Sequence, residues 1–378
     1  MTTNNFMQKQ YGLTDNPFTG NTADRSWVDT WVDREEQVTK WNSVITKLQN
    51  PRKNYIVFII GDYGEGKTQS LFKVLDDSKD ISEVYSAYFT FKGEQKPRTP
   101  GLEFMFRIFK SIDFNALHGK YKEKLGAAID AIPEELGEVK NVLEICFFAE
   151  SELRDLSRYF LRGEIRPNNN QLKKLQIIRK IDDIDIAKEY LTGMLIVFKN
   201  LGVNTLLLAV DEVEYLFSLV PKSQQSIYVA LLRGLYDFPS DVKFAGDNAA
   251  KIAMFLAVST DGYRRLKENE KQETSTGGPT TPLLDRIDIS TNLGALTRQA
   301  TRDLVAKRLH FDRVGKKHFD PLIPFDESFI DLIWDLTKGN PRDIIDKCNY
   351  VLDAGIEKGI TLLDKNTAIQ LLTERREI

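Results

Sequence analysis

The chain is 378 residues long, roughly two to three domains by ordinary domain size, and its 42% hydrophobic content is enough to build real cores. A net charge of −3 excludes a globally basic nucleic-acid binder, so any basic surface has to be local. Two cysteines far apart in sequence, Cys146 and Cys348, exclude a disulfide framework and metal-type spacing; both read as packing residues in a reducing compartment.

The N-terminus, MTTNNFMQKQYG, lacks the charged-then-apolar layout of a signal peptide, and the greasiest stretch, Leu191 to Val210, is interrupted by Lys199, Asn200 and Asn204. A soluble, cytoplasmic protein without membrane contact is expected. Residues 1–26 are polar and broken at Asn16-Pro17-Phe18 and Thr19-Gly20-Asn21, and should form an ordered lead-in or a loose tail. From Trp31 the pattern turns helical through Leu48, with Val38, Trp41, Val44, Ile45 and Leu48 on one face, until Asn50-Pro51 stops it.

Tyr55 to Ile60 is a β-branched apolar run of buried-strand length, and it leads straight into Gly61-Asp62-Tyr63-Gly64-Glu65-Gly66-Lys67-Thr68. This is G-x-x-x-x-G-K-[ST], the P-loop. Successive backbone N–H groups can turn inward around a polyphosphate only where side chains do not clash, which accounts for Gly61, Gly64 and Gly66. The following helix, from Lys67 and Thr68 through Gln69, adds its first amides and its dipole. Lys67 is expected on the β and γ phosphates of ATP, and the Thr68 hydroxyl on Mg²⁺.

Glu83 to Phe91 reads as a second strand, and Lys92 to Pro100 as a polar, proline-containing break. From Gly101 to about Asn200 the pattern is helical. Lys67 and Asp211 stand 211 − 67 = 144 positions apart, where a helix, strand, helix and strand need roughly 50 to 60 residues. The excess is a helical insertion over about 100–200.

Thr205 to Val210 is a continuous apolar run ending in Asp211-Glu212-Val213-Glu214. Acids at the C-terminal end of a parallel strand lie where a P-loop opens, the Walker B arrangement. Asp211 would hold the Mg²⁺ shell, and Glu212 would orient and deprotonate the attacking water. A water-positioning pair of acids argues against a metabolic kinase.

Ala253 to Thr260 is a fourth strand with a polar tip, where Ser259 or Thr260 could reach the lytic water or a γ-phosphate. Gln272 to Pro282 is small, polar and flexible in composition. Leu283-Leu284-Asp285-Arg286 then leads to a fifth strand at Ile287 to Ser290. The remainder is helical: Thr297 or Thr301 caps one helix, and Asp326 or Ser328 a second. Arg342 opens a third after Gly339-Asn340-Pro341, and a fourth spans Asp364 to Leu372.

P-loop, Asp-Glu acids, polar strand tip, arginine before the fifth strand and a helical tail with G-N-P-R together resemble an AAA+ ATPase over residues 30 to 360. The resemblance implies an α/β P-loop core with a five-stranded parallel sheet, a large helical insertion and a C-terminal helical lid. It divides the chain into a leader (1–30), the core (31–291) and the lid (292–378). It also implies ATP hydrolysis with Thr260, or Ser259, as sensor 1 and Arg342 as sensor 2. Arg286 would be an arginine finger reaching a neighbouring subunit's nucleotide in a ring or filament; Arg264 and Arg265 compete for that role. A guanidinium suits these tasks because its fork binds phosphate oxygens and stays charged.

The leader, YGLTDNPFTG with WVDREEQ, is similar to the segment flanking the adenine pocket in initiator-type and transposition-regulator AAA+ proteins. Asp33 stands where their box has glycine. LSRYFLRGEIRPNNNQLKKLQIIRKIDD, LGVNTLLLAVDEVEYLF and FLAVSTDGYRRL resemble ATP-binding proteins of the BREX type of bacterial phage defence. Unlike in origin-recognition initiators, no winged-helix DNA reader is expected after the lid.

Arg162, Arg166, Lys173, Lys174, Arg179 and Lys180 against Glu164 alone make a local excess of 6 − 1 = +5, a candidate DNA-backbone contact with steep salt dependence. Two readings result. One is an oligomeric ATPase controlling its grip on DNA in antiviral defence or mobile-element biology. The other is a nucleotide-switched signalling or scaffold ATPase that recruits a protein effector through the helical insertion.

Overall fold

Strand β1 (Tyr55–Ile60) is buried at every residue, and so is β3 (Thr205–Asp211). Runs of this kind belong inside a sheet covered on both faces. The computed structural model describes residues 3–20, 23–91, 101–219, 221–238, 246–275, 283–314 and 320–375. They divide into a sheet unit, Lys40–Ile60 with Val74–Thr291, and a lid unit, Met1–Thr39 with Gly61–Lys73 and Asn292–Ile378.

Helix α1 (Glu35–Ile45) precedes β1 and α2 (Lys67–Ser78) follows it. With β2 (Val84–Thr90), β4 (Lys251–Val258) and β5 (Ile289–Asn292), the sheet has the order β2-β3-β4-β1-β5. The β2–β3, β3–β4 and β4–β1 pairs are parallel, with Ile60 opposite Val258 and Val210 opposite Leu256. The C-terminal ends of these four strands therefore share one edge. Buried Asn54 sets the start of β1, accepting from Ile252 N at 2.7 Å and donating to Tyr236 O at 2.7 Å.

The insertion holds α3 (Leu102–Lys110), α4 (Phe114–Asp130), α5 (Gly137–Phe148), α6 (Ser151–Leu161), α7 (Asn169–Lys174) and α8 (Ile184–Asn200). Every residue of α8 from Tyr190 to Phe198 is buried, because α3, α4 and α5 enclose it; a helix apolar all round needs such a sleeve. Gly193 permits the closest approach, since a Cβ there would collide with Val139 Cγ1 of α5. Gly193→Val should therefore destabilise by about 1–3 kcal/mol despite valine's better helix propensity. Thermal unfolding checks this, and an unchanged midpoint contradicts the packing.

Several boundaries differ from the sequence reading, each for a local reason. Helix α1 starts at Glu35 rather than Trp31, because Asp33 takes a left-handed backbone (φ 56°) that no helix accommodates. Strand β4 stops at Val258, since Ser259 Oγ accepts from Gly262 N at 3.1 Å and thereby caps the next helix. Strand β5 begins at Ile289 because the Asp288 carboxylate is committed to Ile56 N, at 2.9 Å, and to Lys53. Helix α9 (Lys222–Asp237) had no counterpart in that reading, although Tyr228, Leu231, Leu232 and Leu235 carry the helical spacing. Helix α10 (Thr260–Ser275) includes Gln272 to Ser275; the rest of the Gln272–Pro282 segment and the Lys92–Pro100 break lie outside the described residues.

The lid unit packs α11 (Arg298–Phe311), α12 (Glu327–Thr337), α13 (Pro341–Lys358) and α14 (Lys365–Glu374) around one apolar cluster. Thr297, Asp326, Asn340 and Asp364 cap these helices in turn. Met7, Tyr11, Leu13 and Phe18 of the leader are buried in the same cluster, so the leader is ordered. Asn16 fastens it by donating to Asn349 Oδ1 at 2.8 Å and Asp353 Oδ1 at 2.7 Å. Both thiols are buried; burial pushes Cys146 up to about 11 and Cys348 higher still, which suits inert packing residues. Among the described residues no helix is long and apolar enough to cross a membrane.

Candidate nucleotide-binding site

The P-loop belongs to the lid unit. Gly64 and Gly66 adopt φ of 86° and 93°, left-handed values that bend the loop and that side chains resist. Lys67 Nζ donates to Gly61 O at 2.9 Å and Asp62 O at 3.1 Å, which holds the ammonium over the loop. Glu65 folds back so that its Oε2 accepts from Asp62 N at 2.6 Å. The loop thus already receives an anionic oxygen on one of its amides, the same contact a phosphate oxygen makes. Lys67, Thr68 and Gln69 form the first turn of α2, the end at which a helix presents its amides and the positive end of its dipole. The donor set fits a polyphosphate.

Residues of the lid segment close on this loop within the same unit. Asn340 Nδ2 donates to Tyr63 O at 2.8 Å while Asn340 Oδ1 accepts from Arg342 N at 3.0 Å, so a single side chain caps α13 and ties it to the P-loop. The Arg342 guanidinium lies 4.5 Å from the centre of the Tyr63 ring, itself 73% exposed. A Cβ on Gly64 would collide with Asn340 Oδ1, which gives that glycine a second reason besides its φ. Sequence reasoning singled out Arg342 and missed Asn340, although the cap preference for Asn before Pro could have flagged it.

Leader residues also line this region. Gln69 Nε2 donates to Asp24 O at 3.1 Å, and the Arg25 guanidinium lies 5.5 Å from the Phe72 ring. Asp33 has a left-handed backbone (φ 56°), which glycine adopts freely and aspartate is one of the few other residues to tolerate. Its neighbour Arg34 is buried, donates to Gly294 O at 2.6 Å, and is held below the usual guanidinium range by that burial. Asp33→Gly should be tolerated within about 1 kcal/mol, whereas Asp33→Val should lose about 1–3 kcal/mol. Comparing thermal midpoints tests this, and equal effects would contradict it.

The acids belong to the sheet unit. Asp211 is 5% exposed at the end of β3; its Oδ2 accepts from Tyr88 Oη at 3.3 Å and its Oδ1 from Glu212 N at 2.9 Å. Burial first, then Asp211, raises the Tyr88 phenol above its usual range, so Tyr88 stays a donor to the carboxylate. Glu212 has φ 57°, a left-handed backbone in a non-glycine residue, and Val213 N bonds Ala257 O at 3.0 Å to fix the turn. Tyr88 went unnoticed in sequence, because a strand residue facing an acid two strands' worth of chain away leaves no local signal.

At the tip of β4, Ser259 Oγ is committed to capping α10, while Thr260 is exposed on its first turn. Arg286 makes a two-pronged pair with Asp237, Nε to Oδ1 at 3.0 Å and Nη2 to Oδ2 at 2.7 Å, and Asp237 raises its pKa further. Arg264 and Arg265 both pair with Asp261, and Arg264 also with Glu268. In the basic segment, Arg179 is bracketed by Glu138 and Glu189. Among the described residues no group of three or more His, Cys, Asp or Glu could hold a metal. Mg²⁺ characteristically borrows ligands from substrate phosphates and needs few from protein, so the lack of such a cluster does not count against it.

Sheet order, the P-loop sequence directly after β1 and the acid pair ending β3 define the class: an α/β P-loop chain with a large helical insertion and a C-terminal helical segment. More particularly, residues 139–245, which include α6 through α9 and the two acids, match the family described as BREX system ATP-binding protein BrxC/D. Among solved structures the chain is similar to Cdc6p from Pyrobaculum aerophilum, at 14% identity and TM-score 0.48, over 93% of this chain and 68% of that one. It is also similar to Drosophila ORC bound to DNA, at 13% and 0.46, where it covers 95% of this chain and 64% of that one. The Thermotoga maritima RuvB Holliday junction branch migration motor follows at 10% and 0.40, over 90% and 69%. No curated protein matches.

Proposed function

We propose that this chain is a BREX-type AAA+ ATPase: it binds ATP with Mg²⁺ at the P-loop, hydrolyses it, and uses the cycle to assemble several copies and to control a grip on DNA in phage defence or mobile-element biology. The observation that carries hydrolysis is the backbone of Glu212. A left-handed glutamate stores about 1–3 kcal/mol of strain, and such outliers persist where a side chain must be aimed. Placed after Asp211, that carboxylate suits a base for the attacking water.

In this reading Lys67 and the loop amides hold the phosphates, and Thr68 and Asp211 hold Mg²⁺, which when bound neutralises charge developing on the phosphates. Thr260 senses the γ-phosphate, and Arg342 exchanges its contact with Tyr63 for one with nucleotide. Arg286 acts as finger only by trading Asp237 for phosphate, a swap one fork-shaped carboxylate partner prefigures chemically.

The test is a titration of duplex DNA at rising salt, with ATP and without, while particle mass is followed. ATP-dependent binding that weakens steeply with salt, together with a mass increase, is expected. Binding that is absent at low salt removes the DNA element, and a mass that never changes removes assembly. The reading in which the insertion recruits a protein effector is favoured by one specific feature, a groove on α6.

A further inference from the structure

We propose that the groove between α6 and the segment 165–174 of the insertion is a docking site for a basic amphipathic helix of a partner protein. The inference goes beyond the nucleotide chemistry and does not depend on it.

The groove has a volume of about 710 Å³, within the range of clefts that enclose whole ligands, about 300–1,000 Å³, so it admits several side chains. Its floor is apolar: Leu153, Leu156 and Ile165 are partly buried hydrophobic residues packed on the sheet unit's core. Tyr159 on its wall is 44% exposed, unusual for a large apolar side chain in a finished surface. The floor and the tyrosine together offer the kind of stripe into which residues i, i+3, i+4 and i+7 of a helix insert.

The rim decides the occupant. Glu150, Glu152 and Asp155 line the opening and are exposed. None of them forms an ion pair among the described residues, and Lys174 is the one cation on the lining. Glu150 and Glu152 have a local reason to be there, because they precede or open α6 and complement its dipole. Asp155 lies a turn further on, where that reason has faded, and stands three residues from Glu152, so the two carboxylates repel. Cations brought in by a partner relieve that repulsion, and a phosphate backbone aggravates it. An apolar floor under the carboxylates of α6 therefore selects leucines flanked by lysine or arginine on that side.

The probe is a fluorescently labelled helical peptide with leucines at i, i+3, i+4 and i+7 and lysines beside them, titrated into the full chain by anisotropy. A peptide of the same pattern with glutamates is the control. Saturable binding of the lysine peptide alone is expected, falling about tenfold or more in Glu152→Lys/Asp155→Lys and less in Glu152→Gln/Asp155→Asn. Both residues are exposed, so these variants should keep the parent's circular dichroism and ATPase rate. No saturable binding, equal binding of both peptides, or binding that survives charge reversal overturns the proposal. So does self-association that the reversal abolishes, which would make a second copy of the chain the occupant.

Discussion

Glu212→Gln should leave ATP binding intact and lower steady-state hydrolysis by about 10²–10⁴-fold, the usual contribution of a positioned base. The substitution keeps size and hydrogen-bonding shape, so the left-handed backbone at 212 and the Val213–Ala257 bond are undisturbed. What it removes is the proposed proton acceptor. Because Tyr88 donates to Asp211, that carboxylate keeps its support in the variant, and under the proposed roles the loss should fall on kcat. Hydrolysis near the parent rate would refute the base assignment, and a loss of ATP affinity would show that Glu212 binds rather than reacts.

Gly64→Val should have the second large effect, weakening ATP binding about tenfold or more and lowering thermal stability by about 1–3 kcal/mol. Two independent requirements meet at this residue. Its φ of 86° is one a β-branched side chain does not adopt, and its Cβ position is taken by Asn340 Oδ1. Relieving only the second, by adding Asn340→Gly, should recover little, because the backbone strain remains and the cap of α13 and its tie to Tyr63 O are lost. Full recovery in the double variant would mean that contact, rather than backbone conformation, dictates glycine. Calorimetric titration with ATP and thermal unfolding read both parts.

Much of this was written locally in the chain. The P-loop declares itself because its glycines, lysine and threonine are consecutive, and the Asp211-Glu212 pair because it terminates a run of apolar residues. Caps at Thr297 and Asp326 follow from short-range chemistry and stand among the alternatives the sequence offers. What escaped is what long-range contact decides. Asn340 at the P-loop, Tyr88 on Asp211 and Asp237 on Arg286 join residues 277, 123 and 49 positions apart, and no spacing rule spans those distances. The net charge of segment 162–180 counts Arg179 as available for the same reason, since its partners Glu138 and Glu189 lie outside it. Asp33 is the instructive exception: replacing glycine in its motif looked like a departure, yet the residue retains the left-handed backbone that glycine would supply.

The most direct test of the account is titration of ATP with Mg²⁺ into the wild-type chain and Lys67→Ala, whose lost ammonium now sits on the Gly61 and Asp62 carbonyls. One ATP bound per chain in the wild type, and at least a tenfold weaker isotherm in the variant, is the predicted result. An isotherm that Lys67→Ala leaves unchanged, or no binding by the wild type, would contradict the claim that this loop is a nucleotide site.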